Sequence, residues 1–120
     1  MSAVTFLPTP CPQLDLPGRT LLTLPPDIDL STAPALYSHI VSVVRARPSP
    51  LRLLVLDLTR TRFMDSQGAR LVDDIRRLLQ PHTEVRVVAH PHDLPSRVLE
   101  LTGVRRDVPV YDDLTEAMAF

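Results

Sequence analysis

The stretch "RLLVLDLTRTRFMDSQGARLV", residues 52–72, contains a strand, a loop and the start of a helix. The apolar run "LRLLVLDL", 51–58, is nearly continuous rather than alternating, the pattern of a strand covered on both faces. A polar loop follows and ends in the hydrophobic pair Phe63-Met64. The spacing predicts a helix from about Gln67 to Gln80, burying Leu71, Val72, Ile75, Leu78 and Leu79 and turning Arg70, Asp73, Asp74, Arg76 and Arg77 outward. Asp65 or Ser66 stands at its mouth, where a short oxygen-bearing side chain can accept a bond from one of the first free N–H groups.

The same alternation continues on both sides. "RTLLTL", 19–24, is a short buried strand between Gly18 and Pro25-Pro26. In "DLSTAPALYSHIVSVVRAR", Ser31 or Thr32 can cap a helix, and Pro34 is tolerated in its first turn. Ala33, Leu36, Tyr37, Ile40, Val43 and Val44 form the apolar face, and "RPSP", 47–50, ends the helix. Downstream come a strand in "EVRVVAH", a helix in "LPSRVLELTG" stopped by Gly103, a short strand in "VPVY", and a last helix in "DLTEAMAF" capped by Asp113 or Thr115. Strand–helix alternation of this kind makes an α/β fold with a largely parallel sheet. Residues 1–13, rich in proline, are expected to be a loosely ordered arm, with "AVTFL" or "QLDL" able to pair as an edge strand; residues 14–120 form the domain.

Composition narrows the function classes. At 120 residues, 44% of them apolar and 22% charged, the chain is one globular domain with one core. A formal net charge of −1 gives no electrostatic reason to bind nucleic acid or an anionic membrane. Cys11 is the only cysteine, which excludes an internal disulfide and fits a reducing cytoplasm. The N-terminus has no basic region ahead of a long apolar core, so it is not a signal peptide, and no run approaches the roughly 20 apolar residues of a membrane helix.

Few residues suggest chemistry. Gly18, Gly68 and Gly103 are too scattered for a phosphate-cradling loop, so no nucleotide cofactor is expected. His82, His90, His92 and Cys11 lack the spacing of a metal site. A nucleophile elbow would need glycine where Met64 stands, which argues against Ser66 as a catalytic serine. A capping residue explains the Asp-Ser pair without further function, yet a helix N-terminus is also where an added phosphate is best tolerated.

"LLVLDLTRTRFMDSQGARLV" resembles the central motif of STAS domains of the anti-sigma factor antagonist group: an apolar strand ending in Asp-Leu, a short loop, a hydrophobic pair, then Asp-Ser-x-Gly opening a helix. "DIDLSTAPAL" is similar to the family's earlier segment, and "RVLELTGVRRDVPVYDDLTEAM" to its C-terminal end. The resemblance implies an α/β fold with a mixed, mostly parallel sheet of about four to five strands and about four helices. It also implies no enzymatic activity, no cofactor, and a protein partner: an anti-sigma factor with serine-kinase activity, released when a serine is phosphorylated. By position Ser66 matches that serine, Asp65 the acidic residue before it, and Asp29 the acidic residue ahead of the first helix. Family members commonly read Asp-Ser-Ser/Thr-Gly-Leu-Gly, whereas Gln67 follows the serine here and Ala69-Arg70 follow the glycine. The expected partner-binding face comprises Asp29, Arg62, Phe63, Met64, Asp65, Gln67, Gly68 and Arg70. Two other roles fit the same fold: a STAS adaptor that is never phosphorylated, and a small-ligand sensor using the loop after "DLTRTRFMD".

Overall fold

The computed structural model describes residues 11–120, so residues 1–10 of the expected arm lie outside the described residues. Its elements run β1 (Gln13–Leu16), β2 (Arg19–Thr23), β3 (Asp27–Ile28), α1 (Ala33–Arg45), β4 (Leu53–Asp57), β5 (Phe63–Met64), α2 (Ser66–Leu79), β6 (Glu84–Val88), α3 (Leu94–Leu101), β7 (Val110–Tyr111) and α4 (Leu114–Met118). A 3₁₀ turn, Val104–Arg106, follows α3, with Gly103 at φ +82 marking where the helix stops.

The fold is mixed α/β. Five strands form the main sheet in the order β1-β2-β4-β6-β7. β2, β4, β6 and β7 are parallel, and β1 returns antiparallel along β2. Pro17 and Gly18, the latter at φ +71, make the tight turn between β1 and β2. Gln13 thus belongs to the sheet rather than to an arm, and Thr23 donates a backbone bond to Pro12 as the ladder continues.

β4 lies at the centre and is buried on both faces, as its unbroken apolar run requires. Leu54 and Leu56 pack with Leu36 and Ile40 of α1, Val72 and Ile75 of α2 and Leu99 of α3. Leu53 and Val55 face the opposite way, against Ala117 and Met118 of α4. One expectation fails on α2: Leu78 is exposed while Leu79 packs on the core. At ~100° per residue Leu78 falls roughly 60° from Ile75, at the margin of the stripe, on the side away from Leu79. A five-residue helix cannot hold itself, so α4 is tied down by side chains. The Arg19 guanidinium donates to the Met118 carbonyl at 2.7 Å, and Arg86 donates to Ala117 and Ala119. The Phe120 ring lies 4.9 Å from the guanidinium carbons of both Arg19 and Arg52.

Another guanidinium ties α1 to the β1–β2 hairpin. Arg47, just past the end of α1, donates to the buried Thr20 hydroxyl at 2.7 Å, to the Leu16 carbonyl at 3.0 Å and to the Asp15 carboxylate at 3.3 Å. Thr20 passes its own hydrogen to Asp15 at 2.8 Å. That bond first, then one from Gln13 and the charge of Arg47, holds the Asp15 carboxyl below the usual carboxylate range. A lowered native pKa contributes stability above the unfolded value and loses it as pH falls through the folded one. Asp15→Asn is therefore expected to be less stable than the parent at neutral pH. The gap should close as pH falls below about 4, which urea titrations at a series of pH values will measure.

Candidate functional site

Ser66 is the first helical residue of α2, and its neighbour performs the capping. Asp65 is extended, at φ −103 and ψ −168, and its carboxylate accepts from the Gln67 N–H at 2.8 Å. The sequence left the cap open between the two residues; the backbone assigns it to Asp65. Ser66 is exposed, and its hydroxyl makes no hydrogen bond with any described side chain, neither a base nor a carboxylate. The oxygen is free to meet solvent or a partner.

A two-stranded ladder brings the second acidic segment to this place. β3 and β5 pair in parallel, Asp27 with Phe63 and Ile28 with Met64. Pro26 accepts from the N–H groups of Arg62 and Phe63, and Ile28 accepts from that of Asp65 at 3.3 Å. Asp29 and Asp65 are the next residue beyond the last pair on each strand. Neither two-residue strand shows any periodicity, and nothing in the sequence announces their pairing.

Asp29 also has a structural task. Its carboxylate oxygen accepts from the Ser31 hydroxyl at 2.6 Å, the Ser31 N–H at 2.9 Å and the Thr32 N–H at 3.2 Å, closing the turn that leads into α1. These bonds, the Ser31 hydroxyl foremost, lower its pKa from the ordinary value. Thr32 is the N-cap residue by position but makes no side-chain cap bond; its hydroxyl accepts from the Asp29 N–H instead.

The remaining expected site residues divide by exposure. Arg62, Arg70 and Phe63, the last 45% exposed, lie on the surface with Ser66, and Gln67 is partly exposed. Met64 and Gly68 do not belong to a contact face. Met64 is 1% exposed, because alternation along β5 turns it inward as Phe63 turns out. Gly68 is buried against it: a Cβ there would lie 2.2 Å from Met64 Cγ and 3.2 Å from Ile28 Cγ2. Its role is close packing between α2 and the β3–β5 ladder.

The structure adds a feature that the sequence reading missed. Leu30 is 70% exposed and rims an open groove of about 400 Å³ between α1 and α2. Ala33, Pro34 and Tyr37 line it from α1, and Gln67, Arg70 and Leu71 from α2. The available signal was an apolar residue between Asp29 and Ser31, off the periodic face of the first helix. Among the described residues no group of three His, Cys, Asp or Glu side chains is arranged to hold a metal. No helix among them is long and apolar enough to cross a membrane.

Comparison with known proteins agrees with this architecture. The STAS domain family model matches residues 13–117. The chain belongs to the STAS domain family. An anti-sigma factor antagonist from Mycobacterium paratuberculosis shares 32% sequence identity, covers 89% of this chain and 88% of its own, and superposes with a TM-score of 0.78. Two more distant structures share the fold. Protein TM1081 is 18% identical over 98% of this chain and 92% of its own, with a TM-score of 0.74. The murine anion transporter Slc26a9 is 16% identical over 83% of this chain but only 17% of its own, with a TM-score of 0.66. No curated protein sequence matches the chain.

The placement of Gly68 makes one consequence measurable in this STAS domain. Gly68→Ala forces Met64 to move within a filled core and should cost about 1–3 kcal/mol despite the better helix propensity of alanine. Ser66→Ala, which removes a hydroxyl without a partner, should stay within about 0.5 kcal/mol of the parent. Denaturant unfolding of the two variants checks the contrast.

Proposed function

We propose that this protein is an anti-sigma factor antagonist, a regulatory binding module rather than an enzyme. In this reading it docks on an anti-sigma factor with serine-kinase activity and is released when that kinase phosphorylates Ser66. The observation that carries the reading is the exposed hydroxyl of Ser66, free of any hydrogen bond, at the first position of a capped helix. The 32% identical antagonist, aligned over most of both chains, supports it.

The contact face comprises Asp29, Arg62, Phe63, Asp65, Gln67 and Arg70 around Ser66, with exposed Leu30 and Phe63 as its apolar anchors. Phosphorylation adds about −1.5 to −2 charges at neutral pH. The α2 dipole offsets some of this, by about 0.3–1 kcal/mol at an exposed terminus. Asp65 and Asp29 act in the opposite sense. Within a desolvated contact, an uncompensated charge costs several kcal/mol, which is a loss of affinity of about a hundredfold or more. No refolding is required, because Ser66 carries no internal bond that phosphorylation would break.

Incubation with ATP and the partner should add one phosphate to the parent and none to Ser66→Ala, by intact mass. Calorimetry should find Ser66→Ala binding as the parent does and Ser66→Asp binding more weakly; equal affinity of parent and Ser66→Asp would sink the charge switch. Failure of phosphate transfer with binding intact would favour the constitutive adaptor.

Arg70 stands four residues after Ser66 on the same helix face and forms no ion pair among the described residues. In the phosphorylated protein it turns back to the phosphate and lowers its second pKa. Phosphorus NMR titration should then give a higher pKa in Arg70→Gly than in the parent, and an unchanged value would exclude the contact.

A further inference from the structure

On the β6–β7 side of the sheet lies a separate cleft of about 530 Å³, between α3 and the segment joining β7 to α4. It lies outside the Ser66 face and away from the loop after "DLTRTRFMD", and it opens beyond the carboxyl ends of β6 and β7. In open parallel sheets this is the edge where small ligands bind.

Four observations concern what it could hold. Ser96, in the first turn of α3, lines the cleft and is 6% exposed, yet its hydroxyl makes no hydrogen bond with another described residue. The hydroxyl oxygen itself is not sealed from solvent, so it stands as a donor open to an occupant of the cleft. In the first turn of α3 Pro95 has no N–H and the Arg97 N–H is taken by the Asp93 carbonyl, which leaves the N–H groups of Leu94 and Ser96 free. Asp93, the N-cap residue, makes no side-chain cap bond to them. The α3 side and the 3₁₀ turn contribute the guanidinium groups of Arg97 and Arg105 to the lining, while Glu100, Asp112 and Glu116 contribute carboxylates. Among the described residues none of these five forms a salt bridge, although both signs line one cleft.

The signs decide the class of ligand. Two guanidinium groups against three carboxylates leave the lining with an excess of negative charge, which is a poor trap for a simple anion. A cation alone would make no use of the hydroxyl and N–H donors of Ser96. We propose that the cleft binds a small zwitterion carrying an oxyanion head and an ammonium group. The oxyanion accepts from the hydroxyl and the free N–H of Ser96 and from one or both guanidinium groups, a charge-assisted arrangement at a helix N-terminus. The ammonium donates to Asp112 and Glu116 across the cleft. Tyr111 and Val110 supply the apolar wall between the two ends.

The test is titration of the full chain with the common L-α-amino acids and O-phosphoethanolamine, each added singly. Acetate, inorganic phosphate and ethylamine serve as probes of one charge. The readout is amide chemical shift in ¹H–¹⁵N spectra. At least one zwitterion should saturate and move the amides of Ser96, Arg97 and Asp112, and should bind more tightly than any single-charge probe. Ser96→Ala and the exposed-site variant Arg105→Gln should each weaken it by at least about tenfold, with spectra otherwise those of the parent. Ser66→Asp should leave it unchanged, since that face is separate. The proposal is overturned if acetate or phosphate binds as tightly as the zwitterions. It fails equally if no probe moves these amides, or if both cleft variants bind like the parent.

Discussion

Burial of β4 from both sides is the constraint on which the rest of the domain depends. Its backbone is bonded to β2 on one edge and β6 on the other, so every side chain must leave through one face or the opposite one. Leu54 and Leu56 then require a roof of helices, which α1, α2 and α3 supply in chain order. Leu53 and Val55 require a second cover, which falls to a helix of five residues and a short tail. That cover is held from the sheet by Arg19 and Arg86, which satisfy the carbonyls at the end of α4, and by the aromatic contact of Phe120. Packing and capping are not separable there. The guanidinium groups bond the carbonyls while their stems cover apolar surface.

At the end of β4 the chain leaves the sheet, and the β3–β5 ladder receives it. Met64 turns inward, Asp65 stays extended in the capping position, and the chain enters α2 at Ser66, which lies on the surface. Gly68 lets α2 approach closely enough for Met64 to stay buried. The exposure of Ser66 is therefore a result of core packing, and the hydroxyl is presented from a rigid frame although it lies beside a loop. Asp29 gains its place by the same ladder and is held by Ser31 and Thr32, so its charge and its structural bonds come from a single carboxylate.

The carboxyl end of the sheet thus has two unlike regions. Around Ser66 the surface combines exposed leucine and phenylalanine with carboxylates and two free arginines, a mixture suited to a broad macromolecular contact. Between α3 and α4 the polar groups converge in a concave space of small-molecule size. α3 packs against β5, so the two regions share a structural wall while facing different solvent.

Long periodic segments determined most of the architecture on their own. The apolar run of β4, the helical stripes of α1 and α2 and the stop at Gly103 each express a local pattern strong enough to survive any tertiary context. The Asp-Ser pair was equally legible as a helix start. What the sequence could not contain was the partnering of elements too short to have a period. β3 and β5 are two residues each and exist only because each satisfies the other's backbone. That pairing decided that Asp29 and Asp65 follow the same end of one ladder and that Met64 and Gly68 belong to the core. The cleft beside α3 was hidden for the same reason. Ser96, Arg105 and Asp112 are ordinary polar residues in the chain, and only the parallel stacking of β6 and β7 sets them around one space.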